Sequence, residues 1–393
     1  MSWEGATETT EVRITRPLRA RDPEAEHRPA TPLELFFDLV FVVAVAFAAD
    51  QLHEGLVRGE VWGSLPRYVI AFFGLWWAWV NFTWFASAYD SDDVAYRIFV
   101  FVTMTGALIL AAGIPQFFDN FNRGLAVLGY VVMRLALVTQ WIRVARADTP
   151  RRSTALRYAL GVSVCQLVWV AALVFPALWW PALFVFGPTE LLVPLWAESA
   201  SATTWHPGHI VERYGLFMII VLGESVLAAS LAIQSATNSS ELSGELLQVI
   251  IGGLLIVYSL WWIYFDRPKE RSLSSSRAAL VWGYIHLPIF ASVAAVGAGL
   301  SVAIDGTAGD SLLGPTATGL TIAIPVAVYL MGLSGLYVRA GISRWQWLGV
   351  TATALLVMSA AVTSAPVLVI GLLLVIFIAI KVAMQIRGDP NST

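Results

Sequence analysis

Charge is what this sequence has least of. Only 13% of its 393 residues are Asp, Glu, Lys or Arg, whereas 58% are hydrophobic, and the mean hydropathy is +0.71. Soluble domains carry about 25% charged residues, so the composition excludes an ordinary soluble globule and points to a membrane protein. Cysteine is nearly absent as well. The single Cys165 lies in an apolar run, so one chain can build neither a disulfide framework nor a thiolate metal centre. The 24 Lys and Arg residues never gather into a dense run, which excludes nucleic acid as a partner. No glycine-rich nucleotide loop, nucleophile elbow or metalloprotease helix motif occurs. The expectation is therefore of a protein that is not an enzyme and carries no cofactor.

Residues 1–32 lack any apolar core segment, which excludes a cleaved signal peptide. Five Arg residues alternate there with acids, and Pro17, Pro23, Pro29 and Pro32 interrupt the chain. Such a segment buries little apolar surface, and a disordered cytoplasmic tail is expected.

What the sequence has in abundance is long apolar runs. A helix crossing a ~30 Å hydrocarbon core needs about 20 residues. Twelve candidates emerge, at 33–52, 68–88, 97–115, 124–144, 155–175, 178–198, 210–233, 245–265, 277–303, 315–338, 345–363 and 366–386. An unpaired backbone amide in lipid is costly, so runs of this length form helices. The fold class is all-α, a polytopic membrane protein of about twelve transmembrane helices.

Short cytoplasmic loops are enriched in Lys and Arg. With the N-terminus placed inside, 20 of the 24 fall on that side, three (Arg58, Arg67, Arg123) fall outside, and only Arg134 lies deep in a span. Both termini are then expected to be cytoplasmic. The start of the first span, Leu33-Glu34-Leu35-Phe36-Phe37-Asp38, can be laid over Val211-Glu212-Arg213-Tyr214-Gly215-Leu216 in the seventh. Leu75-Trp76-Trp77-Ala78-Trp79 likewise resembles Leu260-Trp261-Trp262-Ile263-Tyr264. Two six-helix halves, 33–203 and 204–386, followed by a short tail at 387–393, are expected to share one orientation.

Ionisable groups inside a bilayer are expensive and mark partners or pathways. Glu34 and Asp38 stand four residues apart, one helical turn, so their carboxylates share a face and attract a cation or proton. The plainer alternative has them near the helix start, favoured by its dipole and bound to an Arg. Glu224 lies about 18 Å beyond Glu212 along the seventh span, beside Gly223 and Ser225, near mid-membrane. Arg134 is the cation expected to serve it if its role is structural. Arg213 shares the face of Glu224 but lies too far away, roughly 16 Å, to pair with it. Pro181, Pro188 and Pro194 break the sixth span around Glu190, either as a kinked packing helix or as an ion-binding break. His206 and His209 precede Glu212; a metal needs a third or fourth ligand that this spacing lacks, and proton sensing fits His209 better. The candidate ion or proton pathway groups are thus Glu34, Asp38, Glu190, Glu212 and Glu224, with Arg134, Arg213 and His209 as charge partners. The aromatic cluster around Trp76, Trp77 and Trp79 suits packing and interfacial anchoring, with stacking on an organic cation as the alternative.

The segment Thr31-Pro32-Leu33-Glu34-Leu35-Phe36-Phe37-Asp38-Leu39-Val40-Phe41-Val42, with the later His209-Ile210-Val211-Glu212-Arg213-Tyr214-Gly215-Leu216-Phe217-Met218-Ile219-Ile220-Val221-Leu222-Gly223-Glu224-Ser225, resembles the bacterial low-temperature-requirement A (LtrA) family. The resemblance spans nearly the whole chain after the tail. It implies an integral membrane protein associated with growth in the cold, without a settled biochemical activity. A looser similarity runs to six-plus-six-helix cation channels; Phe36-Phe37-Asp38 stands where they carry Phe-Ser-Asp, and their Arg is absent. The expected function is a transporter or channel for a cation, proton or small solute. The alternative is a non-transporting sensor or scaffold in the bilayer. Oligomeric state is not legible.

Overall fold

The computed structural model describes residues 14–23, 28–239, 243–266, 273, 275–339 and 344–388, except the side chains of 235–239, 337–339, 344–345 and 387–388. Residues 1–13, 24–27 and 389–393 of the two expected tails lie outside the described residues.

Apolar runs become helices because the helix closes every backbone hydrogen bond within itself. Among the described residues there is no strand, and twelve helical segments follow one another. They are α1 (Pro32–Val57), α2 (Val61–Ala88), α3 (Val94–Asn120), α4 (Gly124–Ala147), α5 (Arg152–Val174) and α6 (Pro176–Glu198). Then come α7 (Pro207–Ser239), α8 (Gly244–Phe265), α9 (Ser276–Ala308), α10 (Pro315–Arg339), α11 (Arg344–Ala360) and α12 (Pro366–Gly388). Eleven are long and apolar enough to cross a membrane, and α11 is the shorter one. The chain is a polytopic α-helical membrane protein.

Local chemistry sets several ends. Thr31 caps α1: its hydroxyl accepts the Glu34 amide while the Glu34 carboxylate accepts the Thr31 amide, and Pro32 fills the first helical position, where its missing N–H costs nothing. At the other extreme, α9 ends on Gly309 at φ 83°, a left-handed stop that glycine adopts without strain. The sixth span is irregular before Glu190, whereas Pro188, Glu190 and Pro194 sit in regular helix. Pro176–Leu178 is a 3-10 turn, Ala182–Phe186 a π turn, and regular helix resumes at Gly187.

The described residues fall into two compact units. One contains 82–106 and 131–206 together with the N-terminal segment; the other contains 27–81, 107–130 and 207–393. These units cut across the halves 33–203 and 204–386.

In the larger unit α9 is the most buried span, and it packs on α1, α7 and α10. Small residues make that closeness possible, as they do at helix contacts in lipid. A Cβ on Gly297 would sit 3.0 Å from the Cα of Ser225 in α7, and one on Gly299 would sit 2.6 Å from the Thr321 carbonyl oxygen in α10. Helices α8 and α12 meet in the same way: a Cβ on Gly252 would lie 2.5 Å from the backbone nitrogen of Leu368.

In the smaller unit α5 packs on α6, and Trp141 of α4 stacks on Tyr158 of α5 with centroids 4.2 Å apart. The described part of the N-terminal segment is tied down there. Leu18 is buried, the Arg21 guanidinium meets Asp90 at 2.7 Å, and the Arg16 amide donates to Asp93 at 2.6 Å. Asp93, in the loop before α3, also accepts the Tyr96 amide and the Arg143 guanidinium, each at 2.6 Å. Burial pushes its carboxyl up, but those amides and the guanidinium outweigh burial and hold it below the ordinary carboxylate range.

Candidate functional site

Helices α1 and α7 pack along each other, and their first turns lie at the same end. Into that end they bring the carboxylates that spacing singled out, together with a cation from the facing helix. The Arg213 guanidinium grips Asp38 with two prongs, Nε to Oδ2 at 3.0 Å and Nη2 to Oδ1 at 2.6 Å. Its third nitrogen, Nη1, stands 3.1 Å from Glu34 Oε1. His209, one turn before Arg213, places Nε2 3.1 Å from the same Glu34 oxygen. The other Glu34 oxygen accepts the Thr31 amide and hydroxyl at 2.8 and 3.0 Å. Asp38 Oδ1 accepts a further bond from the Trp79 indole at 2.7 Å. None of Glu34, Asp38, His209 and Arg213 is more than 1% exposed, so this charge is withdrawn from water almost completely.

A buried carboxylate survives only when paired and hydrogen-bonded. Two carboxylates here share one guanidinium and one imidazole, and Arg28, itself buried, lies within electrostatic reach of His209. The fork geometry is the one in which arginine binds a carboxylate most strongly. Helix starts add to it, because the partial positive charge at the first turns of α1 and α7 favours anions. Glu212 stands at the rim, where it accepts the Ala30 amide at 3.2 Å. Beneath the cluster lies a nest of rings. Trp79 packs on Tyr214 and Phe217, with centroids 4.9 and 4.3 Å away, and Tyr214 in turn meets Trp282 and His286 at 4.8 and 4.9 Å.

Farther along the same two helices stands a second acidic level. At 1.5 Å per residue, Asp50 and Glu224 each lie about 26 Å beyond the first residue of their helix. The two are within electrostatic reach of each other, Glu224 half-buried and Asp50 exposed. Among the described residues neither has an ion-pair partner. One turn past Asp50, His53 Nε2 contacts Asp305 of α9 at 2.6 Å.

The remaining candidates lie in the smaller unit. Arg134 Nη2 donates to Glu190 at 3.3 Å, and the Trp169 indole donates to the other Glu190 oxygen at 2.6 Å. The cation expected to serve Glu224 thus serves Glu190. The structure therefore brings Glu34, Asp38, His209 and Arg213 into one knot with Glu212 beside it, joins Glu190 to Arg134, and leaves Glu224 at the far level. Among the described residues no three His, Cys, Asp or Glu side chains gather to hold a metal, and His209 is committed to Glu34.

Residues 29–383 match the family described as bacterial low temperature requirement A protein (LtrA), from just before the Thr31 cap to near the end of α12. The chain belongs to the LtrA family. This LtrA-family chain is also similar to an uncharacterized protein of Rhizobium meliloti (strain 1021), 30% identical over a 303-residue alignment, with 72% of each chain covered. Two partners of the candidate carboxylates, one in each unit, escaped the sequence. Trp79 belongs to the aromatic cluster read as packing, and Trp169 carries no reading at all, yet each indole N–H ends on a carboxylate. The signal was the presence of buried tryptophan itself, since a buried indole N–H requires an acceptor.

Proposed function

We propose that this LtrA-family protein is a transporter or channel for a cation, proton or small solute, without enzymatic activity. It sits in the bacterial inner membrane with both termini cytoplasmic. The orientation rests on the Lys and Arg asymmetry of the loops. The family's description as low temperature requirement proteins supports a link to growth in the cold.

One observation carries the functional reading. Helices α1 and α7 hold acidic groups at two depths: Glu34 and Asp38 near their starts, and Asp50 with Glu224 about 26 Å farther on. Facing carboxylates without a cation attract one, and intramembrane acids of this kind mark ion and proton routes. In this reading the Arg213 knot anchors the inner end, and Asp50 and Glu224 receive the ion.

The direct test is flux of protons, sodium and potassium in proteoliposomes, comparing the wild type with Glu224→Gln. Among the described residues Glu224 makes no ion pair, so the variant is expected to unfold at the wild-type temperature while losing flux. Absence of flux for every cation in the wild type, with Glu224→Gln altering nothing, would sink the proposal.

A second reading has its own support. Arg213 and Arg134 neutralise Asp38 and Glu190 inside the protein, an arrangement that also suits a non-transporting membrane sensor or scaffold. That protein would copurify with specific lipids or partners and move no ion.

A further inference from the structure

Helices α4, α5 and α6 bury a second polar set within the smaller unit. Arg134 lies 10 residues from the start of α4, Gln166 eight from the end of α5, and Glu190 11 from Trp179 in α6. Those three helix ends lie on one side, because α5 runs directly into α6 and α4 reaches α5 through its other end. At 1.5 Å per residue the side chains sit about 12–17 Å in, the middle of a ~30 Å hydrocarbon core.

The ion pair and the indole bond account for the Glu190 carboxylate. Gln166 is different. It is 5% exposed, and neither its amide oxygen nor its amide nitrogen has a hydrogen-bond partner among the described residues. It shares the buried face of α5 with Val162, Cys165 and Trp169. Trp169, three residues on, donates to Glu190, and Cys165, one residue before, lies within electrostatic reach of both Glu190 and Arg134. The amide is therefore held beside the ion pair rather than against plain hydrocarbon.

The backbone opposite is irregular. The π turn Ala182–Phe186 precedes Glu190, and Pro188 and Pro194 each withhold an amide from the α6 ladder. Irregular backbone at membrane depth is tolerated where it faces protein or water, and π turns recur at functional sites. A buried amide left without a donor or acceptor is costly. Water is the guest that donates and accepts at once, and buried waters sit where several polar groups otherwise lack partners.

We propose that α4, α5 and α6 enclose a hydration site at mid-membrane depth, in which water is bound by the Gln166 amide beside the Arg134–Glu190 ion pair. The site does not depend on the α1–α7 transport reading. It gives the smaller unit a wet polar point where hydrocarbon would otherwise be continuous.

Radiolytic hydroxyl-radical footprinting of the full chain in lipid nanodiscs tests it, because radicals formed from a bound water oxidise the side chains that touch that water. Trp169 is expected to oxidise severalfold faster than Trp282, which is also buried but lies among the rings of Tyr214 and His286. Gln166→Met is expected to bring Trp169 down to the Trp282 rate. If Trp169 reacts at the Trp282 rate in the wild type, the site is dry and the proposal fails. It fails equally if Gln166→Met folds and leaves the fast oxidation unchanged. The wild-type comparison decides alone should that variant not fold.

Discussion

Arg213 and Asp38, 175 residues apart in sequence, form a two-pronged ion pair at 2.6 and 3.0 Å in which neither side chain is exposed. Removing one member strands the other in a medium that cannot solvate it. Arg213→Leu should therefore cost about 3–5 kcal/mol, the range seen when a buried pair loses one partner. The double variant Asp38→Leu with Arg213→Leu should recover part of that loss, since no lone charge remains at Asp38. Thermal unfolding in detergent measures both, and a double variant as unstable as the sum of the two singles would contradict the pairing.

Trp79 serves the same carboxylate from α2. Trp79→Phe keeps a ring against Tyr214 and Phe217 but deletes the N–H that Asp38 accepts, so a loss of about 1.5–3 kcal/mol is expected, as for a hydrogen bond to a charged group. The loss should shrink when Asp38 is already Asn. Equal losses in both backgrounds would show that the indole acts through packing alone.

Glycines on two helices should respond with opposite sign. Gly252→Ala forces a Cβ to 2.5 Å from the Leu368 nitrogen, which drives α8 from α12 and should lower the unfolding temperature. At Gly349 in α11 an added methyl group would meet nothing within 4 Å, and Gly349→Ala should stabilise by up to about 1 kcal/mol through helix propensity. Similar responses at the two positions would rule out backbone contact between α8 and α12.

Asp93 gives the pH prediction. Its carboxyl is held below the ordinary range in the folded state, so the unfolded chain takes up its proton first as pH falls. The stabilisation it provides is complete above the unfolded value of about 3.9 and is lost as pH drops through the lower folded value. Asp93→Asn should thus be less stable than the wild type at pH 7, with the gap closing in strong acid. A gap that stays constant from pH 7 downward would refute this account.

Fold class was legible because hydrophobic run length is a local property, and each of the twelve expected runs became a helix. Boundaries drifted where polar residues continue a helix past its apolar stretch. Gln51, His53 and Glu54 extend α1 to Val57, while Ser359 and Thr363 turn the chain out of α11 before Pro366 opens α12. The shared face of Glu34 and Asp38 was legible for the same reason, being one turn of a single helix. Partners were not. Spacing along α7 puts Arg213 on the face of Glu224 but does not say which helix lies opposite, and the same gap assigned Arg134 to Glu224 instead of Glu190. Only tertiary packing chooses between acids on different helices.

Asp38 Oδ1 accepts from both Arg213 and Trp79, so one oxygen atom fastens α1, α7 and the central part of α2 together at their shared end. A shift of any one of these segments against the others must break charged bonds where no water can replace them. The three are thereby clasped into a stiff keel at that level.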